Sequence, residues 1–224
     1  MQRHFINELD SLKDHIIKMA TMVDDQISTA FQALETNNDE LRAIIKATER
    51  EIDAYDNLIQ TLTENLLALF QPVATDLRFI KTAIMVTNQL ERCGDIAVNI
   101  AQRVKKTINY GNLITESEIL EMGKIANTML QEAMYAFIHR DSELAKTIIK
   151  KDDGVDEMNK KIFDFLTSKM ETSPEFIKPG AHLLILSRHI ERLADHATNI
   201  AEDVIFMVDA RVVAHAKRLG LTEE

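Results

Sequence analysis

An all-α chain built from a duplicated unit is the fold class this sequence predicts, and three observations predict it. Glu91, Arg92, Asp95, Ala97, Asn99, Ile100, Ala101 and Val104 recur one hundred positions later as Glu191, Arg192, Asp195, Ala197, Asn199, Ile200, Ala201 and Val204. Eight identities in register over so short a window mark an internal repeat. Only 6 Gly and 3 Pro interrupt 224 residues, and Trp is absent, which is the composition of long helices. Apolar residues also step by alternating fours and threes over stretches of about thirty residues, the seam of helices packed side by side. The expected architecture is two tandem three-helix bundles of six helices in all, with the first spanning residues 1–110 and the second 111–224.

Helix one is expected from about Phe5 to Leu34, where Leu9, Leu12, Ile16, Met19, Val23, Ile27 and Ala30 keep the spacing. Thr36-Asn37-Asn38-Asp39 breaks it. Leu41, Ile45, Thr48, Ile52, Tyr55, Ile59, Leu62 and Leu66 define helix two, which Gln71-Pro72 ends because a residue before proline disfavours the helical conformation. Helix three begins near Thr75 or Asp76, either of which can cap it, and carries Phe79, Ala83, Val86, Leu90, Cys93, Ala97, Ile100 and Val104. Three such helices, each about 45 Å long, pack best as an antiparallel bundle. Tyr110-Gly111-Asn112 reads as the linker.

Thr115 with Glu118 has the pattern of a capping box, expected to open helix four and carry it to about His139. Helix five, from about Ser142 to Met170, restates helix two: Glu40, Leu41, Ile45, Glu49, Ile52, Asp53 and Ile59 become Glu143, Leu144, Ile148, Asp152, Val155, Asp156 and Ile162. Ser173-Pro174 is a cap followed by a first turn. Pro179-Gly180 is expected to delay the long part of helix six to Ala181 or His182. From there it should reach about Arg218, with Arg211, His215, Lys217 and Arg218 placed where a helix C-terminus favours cations.

A net charge of −10, with Lys105-Lys106, Lys150-Lys151 and Lys160-Lys161 short and scattered, argues against a nucleic-acid binder, which needs a concentrated positive surface. The segment from Met1 to Glu8 lacks the apolar run of a signal peptide, and Val204–Val208 is far too short to span a bilayer. A cytoplasmic protein is therefore expected, touching membranes only through partners. Cys93 alone permits no intrachain disulfide and sits on a seam as a small core residue. The methionines at 19, 22, 122, 129 and 134 read as core filler. No glycine-rich phosphate loop and no nucleophile–base triad is present.

Chemistry concentrates in the repeated carboxylates. Glu91 and Asp95 lie one turn apart beside the seam of helix three, and Glu191 and Asp195 repeat them on helix six. Glu49 and Asp53 on helix two, and Asp152 and Asp156 on helix five, each follow a seam position by one residue. If neighbouring helices align these levels, four carboxylates converge in each bundle. Such a cluster repels itself until a cation reverses the sign, and oxygen-only donors suit Mg²⁺, Mn²⁺ or iron, with Asn99 and Asn199 one turn further on as neutral donors. A plainer reading stands beside it: Arg50, Arg92, Arg188 and Arg192 each precede one of these acids by three residues, as in ordinary surface ion pairs. His182, His189 and His196, spaced by sevens, are read as a stripe buried at a helix or subunit contact, since Ile96 stands where the repeat has His196.

The run Gln71-Pro72-Val73-Ala74-Thr75-Asp76-Leu77-Arg78, leading into Leu90-Glu91-Arg92-Cys93-Gly94-Asp95-Ile96-Ala97-Val98-Asn99-Ile100-Ala101 and its echo at 190–202, resembles the PhoU family of phosphate-signalling regulators over essentially the whole chain. The resemblance implies two three-helix bundles related by pseudo-twofold symmetry, and no catalysis. It implies an accessory regulator of the phosphate ABC transporter that works with the transporter ATPase subunit and a sensor histidine kinase to restrain uptake and silence the starvation response. It implies metal clusters as well, iron, zinc, manganese or magnesium, on Glu49, Asp53, Glu91 and Asp95, and on Asp152, Asp156, Glu191 and Asp195. The second cluster departs from the pattern: Asp152 replaces a Glu, Gly154 loosens its helix, and Pro179-Gly180-Ala181-His182 replaces the Asp76-Leu77-Arg78 segment.

A homodimer is the expected assembly. Two readings compete with the regulator: a metal-free helical scaffold or dimeriser, and a di-iron carboxylate enzyme of the ferritin-like kind. The second needs Glu-x-x-His pairs facing inward, and none of the seven histidines has Glu three residues before it.

Overall fold

A computed structural model describes residues 2–107 and 109–213. Helices α1 (Gln2–Glu35), α2 (Leu41–Phe70) and α3 (Ala74–Thr107) pack on one another as the first bundle, and α5 (Ile119–His139), α6 (Ser142–Thr172) and α7 (Ile177–Asp209) as the second. A short α4 (Gly111–Glu116) and a 3-10 turn (Pro174–Phe176) fill connections. All the regular structure among the described residues is helical, and no helix there is long and apolar enough to cross a membrane.

The heptad seams are the core. Leu12, Ile16, Met19, Val23, Ile27 and Leu34 of α1 are fully buried, as are Ile45, Ile52, Ile59 and Leu66, one per two turns of α2. Outer helix α2 thus buries a narrow stripe. Helices α3 and α7 bury far more, including Leu90, Cys93, Ala97 and Ile100, with Ile190, Leu193, Ala197 and Ile200 at the repeated positions. They are covered on two sides because each also packs against the other. That contact is antiparallel and holds one register: Arg103 meets His182 (3.2 Å), Gln89 meets His196 (2.6 Å), Thr82 donates to the Asp203 carbonyl (3.5 Å), and Arg78 to that of Met207 (3.1 Å). Combined with the hundred-residue repeat, this register puts the pseudo-twofold axis beside Arg92-Cys93 and Arg192-Leu193.

Several boundaries differ from the sequence expectation. Thr115 does not cap: it lies within α4, its hydroxyl donates to the Gly111 carbonyl, and Glu118 turns left-handed (φ 59°) to start α5, giving seven α-helices among the described residues instead of six. Pro179 does not delay α7, because it is the third residue of that helix, where a backbone N–H has no intrahelical acceptor to lose. Gly180 is needed for close approach, since a Cβ there would come within 2.9 Å of the Met170 side chain. The last helix ends at Asp209, with Ala210 left-handed (φ 56°), so Arg211 lies beyond it, while His215, Lys217 and Arg218 fall outside the described residues. Helix α6 is capped by Asp141, whose carboxylate accepts the Leu144 N–H at 2.9 Å.

Candidate carboxylate site

Where α2 crosses α3, the acidic pairs of the first unit meet. Gly94 sits at the crossing, where a Cβ would stand 3.1 Å from Gln26 Oε1 and 3.4 Å from the end of Ile52. Closeness there lets Glu49 of α2 share a hydrogen bond with Asp95 of α3. The Glu49 carboxyl is held above its ordinary range, first by partial burial, then by Asp95 and Asp53, with Lys46 opposing. Glu91 is raised in the same way, by burial, then by Asp95, Asp56 and Asp53, against the opposing pull of Arg92.

All four predicted residues of the first unit therefore belong to one electrostatic cluster, and the structure adds Asp56. Its carboxyl is raised by burial and by Asp53, although the Gln60 amide donates to it at 2.7 Å. The signal was available, since Asp56 lies three residues after Asp53 on the same helical face. Demanding a repeat hid it, because Asn159 occupies the matching place in the second unit.

In the second unit the arrangement is different. Glu191 feels Asp195 and Asp156, yet Arg188 donates to it at 2.8 Å and offsets that repulsion, leaving burial as the main reason its carboxyl is raised. Asp152 is half-buried on α6, one turn before Asp156. Gly154 does not interrupt that helix. The position matching Arg188 in the first unit is Asn88, which accepts a hydrogen bond from Arg92 Nε at 3.0 Å and so turns that guanidinium back along its own helix. Of the ion pairs the arginine spacing allowed, Arg188–Glu191 forms. The Asn199 amide nitrogen donates to Gln89 of α3 (3.4 Å).

An all-oxygen, self-repelling donor set from two helices fits a hard or borderline cation in the first unit. In their present positions Glu49 and Asp95 are paired directly, and among the described residues no three acidic, His or Cys side chains stand as a closed ligand shell. A cation would have to draw Asp53, Asp56 and Glu91 inward by rotamer changes, which exposed Asp53 and half-buried Asp56 and Glu91 can make. In the second unit it would also have to displace Arg188.

The histidine stripe lies at the contact between the bundles. His196 is 8% exposed and donates through Nδ1 to Gln89, and burial, then Arg192 and Arg92, lowers its pKa to about 4. Cys93 and the methionines at 19, 122, 129 and 134 are buried in the core, as expected.

Comparison with known proteins bears on both halves. The family model for the PhoU domain matches twice, at residues 16–104 and 119–204, once in each bundle. A phosphate-specific transport system accessory protein PhoU homolog of Aquifex aeolicus is 36% identical over 208 residues, covering 93% of this chain and 94% of that one. The homolog of Clostridium acetobutylicum is 30% identical over 210 residues, covering 93% and 96%. Crystal structures of PhoU from Pseudomonas aeruginosa (TM-score 0.88, 30% identity, 92% of this chain and 100% of that one) and of the phosphate transport system regulatory protein PhoU from Streptococcus pneumoniae (0.86, 28%, 93% and 99%) share the fold.

Proposed function

This chain belongs to the PhoU family, and from that premise we propose that it is a non-enzymatic regulator of phosphate uptake in the cytoplasm. In this reading it links the ATPase subunit of a phosphate ABC transporter to a sensor histidine kinase, reaches membranes only through those partners, and forms a homodimer. Support comes from relatives of matching length named as accessory proteins of the phosphate-specific transport system.

The α2/α3 carboxylates hold a cation in this proposal, of iron, zinc, manganese or magnesium. The observation that carries it is the convergence of Glu49 of α2 and Asp95 of α3 among three further acids, which raises the carboxyls of Glu49, Glu91 and Asp56. A bound cation would supply positive charge that offsets the mutual repulsion of these acids. The chain's own part is to present those oxygens from two helices, while Asn88 engages Arg92 Nε. The α6/α7 carboxylates form a second, weaker site.

Elemental analysis of the purified chain, beside a Glu91→Gln/Asp95→Asn variant, tests the site: the variant loses metal and keeps its helicity. Equal metal content in both would remove the assignment. Deletion of the chain is expected to derepress phosphate-starvation genes under phosphate plenty, and the chain should co-purify with the transporter ATPase. A chain that does neither is the metal-free scaffold.

A further inference from the structure

The two bundles differ on the outer face between their second and third long helices. In the second unit α6 and α7 leave an open groove of about 740 Å³. Its floor is apolar, with Leu184, Ile185 and Phe163, and the latter two are 41% and 54% exposed. Lys160, Arg188 and Arg192 rim it against one acid, Asp164. Arg188 is shared with Glu191, so Lys160 and Arg192 set the sign of the groove. In the first unit the places of Lys160, Phe163 and Arg188 are taken by Asn57, Gln60 and Asn88, beside the acidic cluster. The cationic, greasy character thus belongs to one half of a chain whose net charge is −10.

We infer that the α6/α7 groove docks an acidic amphipathic helix of a protein partner. An open apolar cleft between two helices suits a third helix laying its apolar face along it. Phe163 and Ile185 offer the apolar contact that solvent leaves unrewarded. Lys160 and Arg192, on opposite walls, favour carboxylates flanking the incoming apolar residues and repel basic segments. The inference rests on the regulatory reading only for the expectation that a partner exists, and it gives that partner a chemistry.

The test is a photo-crosslinking phenylalanine analogue placed at Phe163 of the full chain in cells, with Ile17 on α1, 38% exposed, as the control position. The expected product from Phe163 is one adduct whose partner segment, read by mass spectrometry, carries Asp or Glu within a turn on both sides of an apolar residue. Lys160→Glu with Arg192→Glu should cut its yield about tenfold while circular dichroism shows unchanged helicity, both residues being exposed. An adduct with a second copy of this chain, a basic or neutral partner segment, no adduct, equal labelling at Ile17, or a yield indifferent to charge reversal would each overturn the inference. An acidic segment from a protein unconnected with phosphate uptake or its signalling would sustain the groove and sink the regulatory reading. A basic segment from the transporter ATPase would do the reverse.

Discussion

The acidic cluster between α2 and α3 and its counterpart between α6 and α7 occupy the same place in two copies of one unit, yet they solve the same electrostatic problem differently. In the first, carboxylates crowd, and partial burial together with Asp95 and Asp53 holds the Glu49 carboxyl above its ordinary range. In the second, Arg188 supplies a counter-charge from within the chain. Asn88 against Arg188, with Asp56 against Asn159, separates a set of mutually repelling acids from one that carries a counter-charge of its own.

The sharpest way to break that comparison is to offer a cation. At a hundredfold excess over Kd, ligand binding stabilises by about 2.7 kcal/mol, or about 5–10 °C of Tm for a chain of this size. Thermal unfolding with Mn²⁺ should show a rise of this order in the native chain and in Glu191→Gln/Asp195→Asn. The rise should vanish in Glu91→Gln/Asp95→Asn, and equal rises in both variants would abolish the distinction between the units.

Next in size are two buried titratable groups that the second unit alone carries. Burial, then Glu202, raises Asp203 from 3.8 to about 7, with Lys81 opposing, so the folded chain keeps a proton the unfolded chain has lost. Its contribution to stability falls as pH rises from about 4 to about 7 and is level above, with a slope of at most about 1.4 kcal/mol per pH unit. His196, lowered from 6.5 to about 4, acts oppositely: the unfolded chain binds the extra proton, so stability drops as pH falls from about 6.5 to about 4. The first unit has Arg103 and Ile96 in these places and neither slope. Urea unfolding across pH 4 to 7 should show Asp203→Asn gaining stability with rising pH more steeply than the native chain. Parallel profiles would count against the assignment.

The smallest effect sharpens the comparison most. Arg188→Asn removes an ion pair whose arginine is well exposed, a loss of about 0.2–1 kcal/mol without metal. It should also bring the second unit's cation affinity up toward that of the first, read by calorimetric titration. Asn88→Arg should weaken the first site, and unchanged isotherms in both would dismiss the role of this position.

Much of this was legible in the sequence. Ile45, Ile52, Ile59 and Leu66 fall on the core because helical spacing dictates it, and Gln71 ends α2 in a left-handed turn before Pro72. The meeting of Glu49 with Asp95 followed from placing both beside seams. Less legible were features that depend on a side chain choosing among several partners. Arg188 reaches Glu191 while Arg92, at a similar spacing from Asp95, bonds to Asn88. Asp56 escaped because repetition was the filter and the repeat lacks it. Pro179 misled because proline's cost depends on how far into a helix it stands, which only the position of Ile177 decides.

The antiparallel seam of α3 and α7, with Arg92 and Arg192 beside its axis, is what two separate copies of a half-length ancestor would make on pairing. Fusing them end to end converts association between molecules into closure within one, which no longer weakens on dilution. Fusion also frees each half from having to suit its twin, so one could crowd its carboxylates together while the other acquired Arg188 and an apolar groove with a cationic rim.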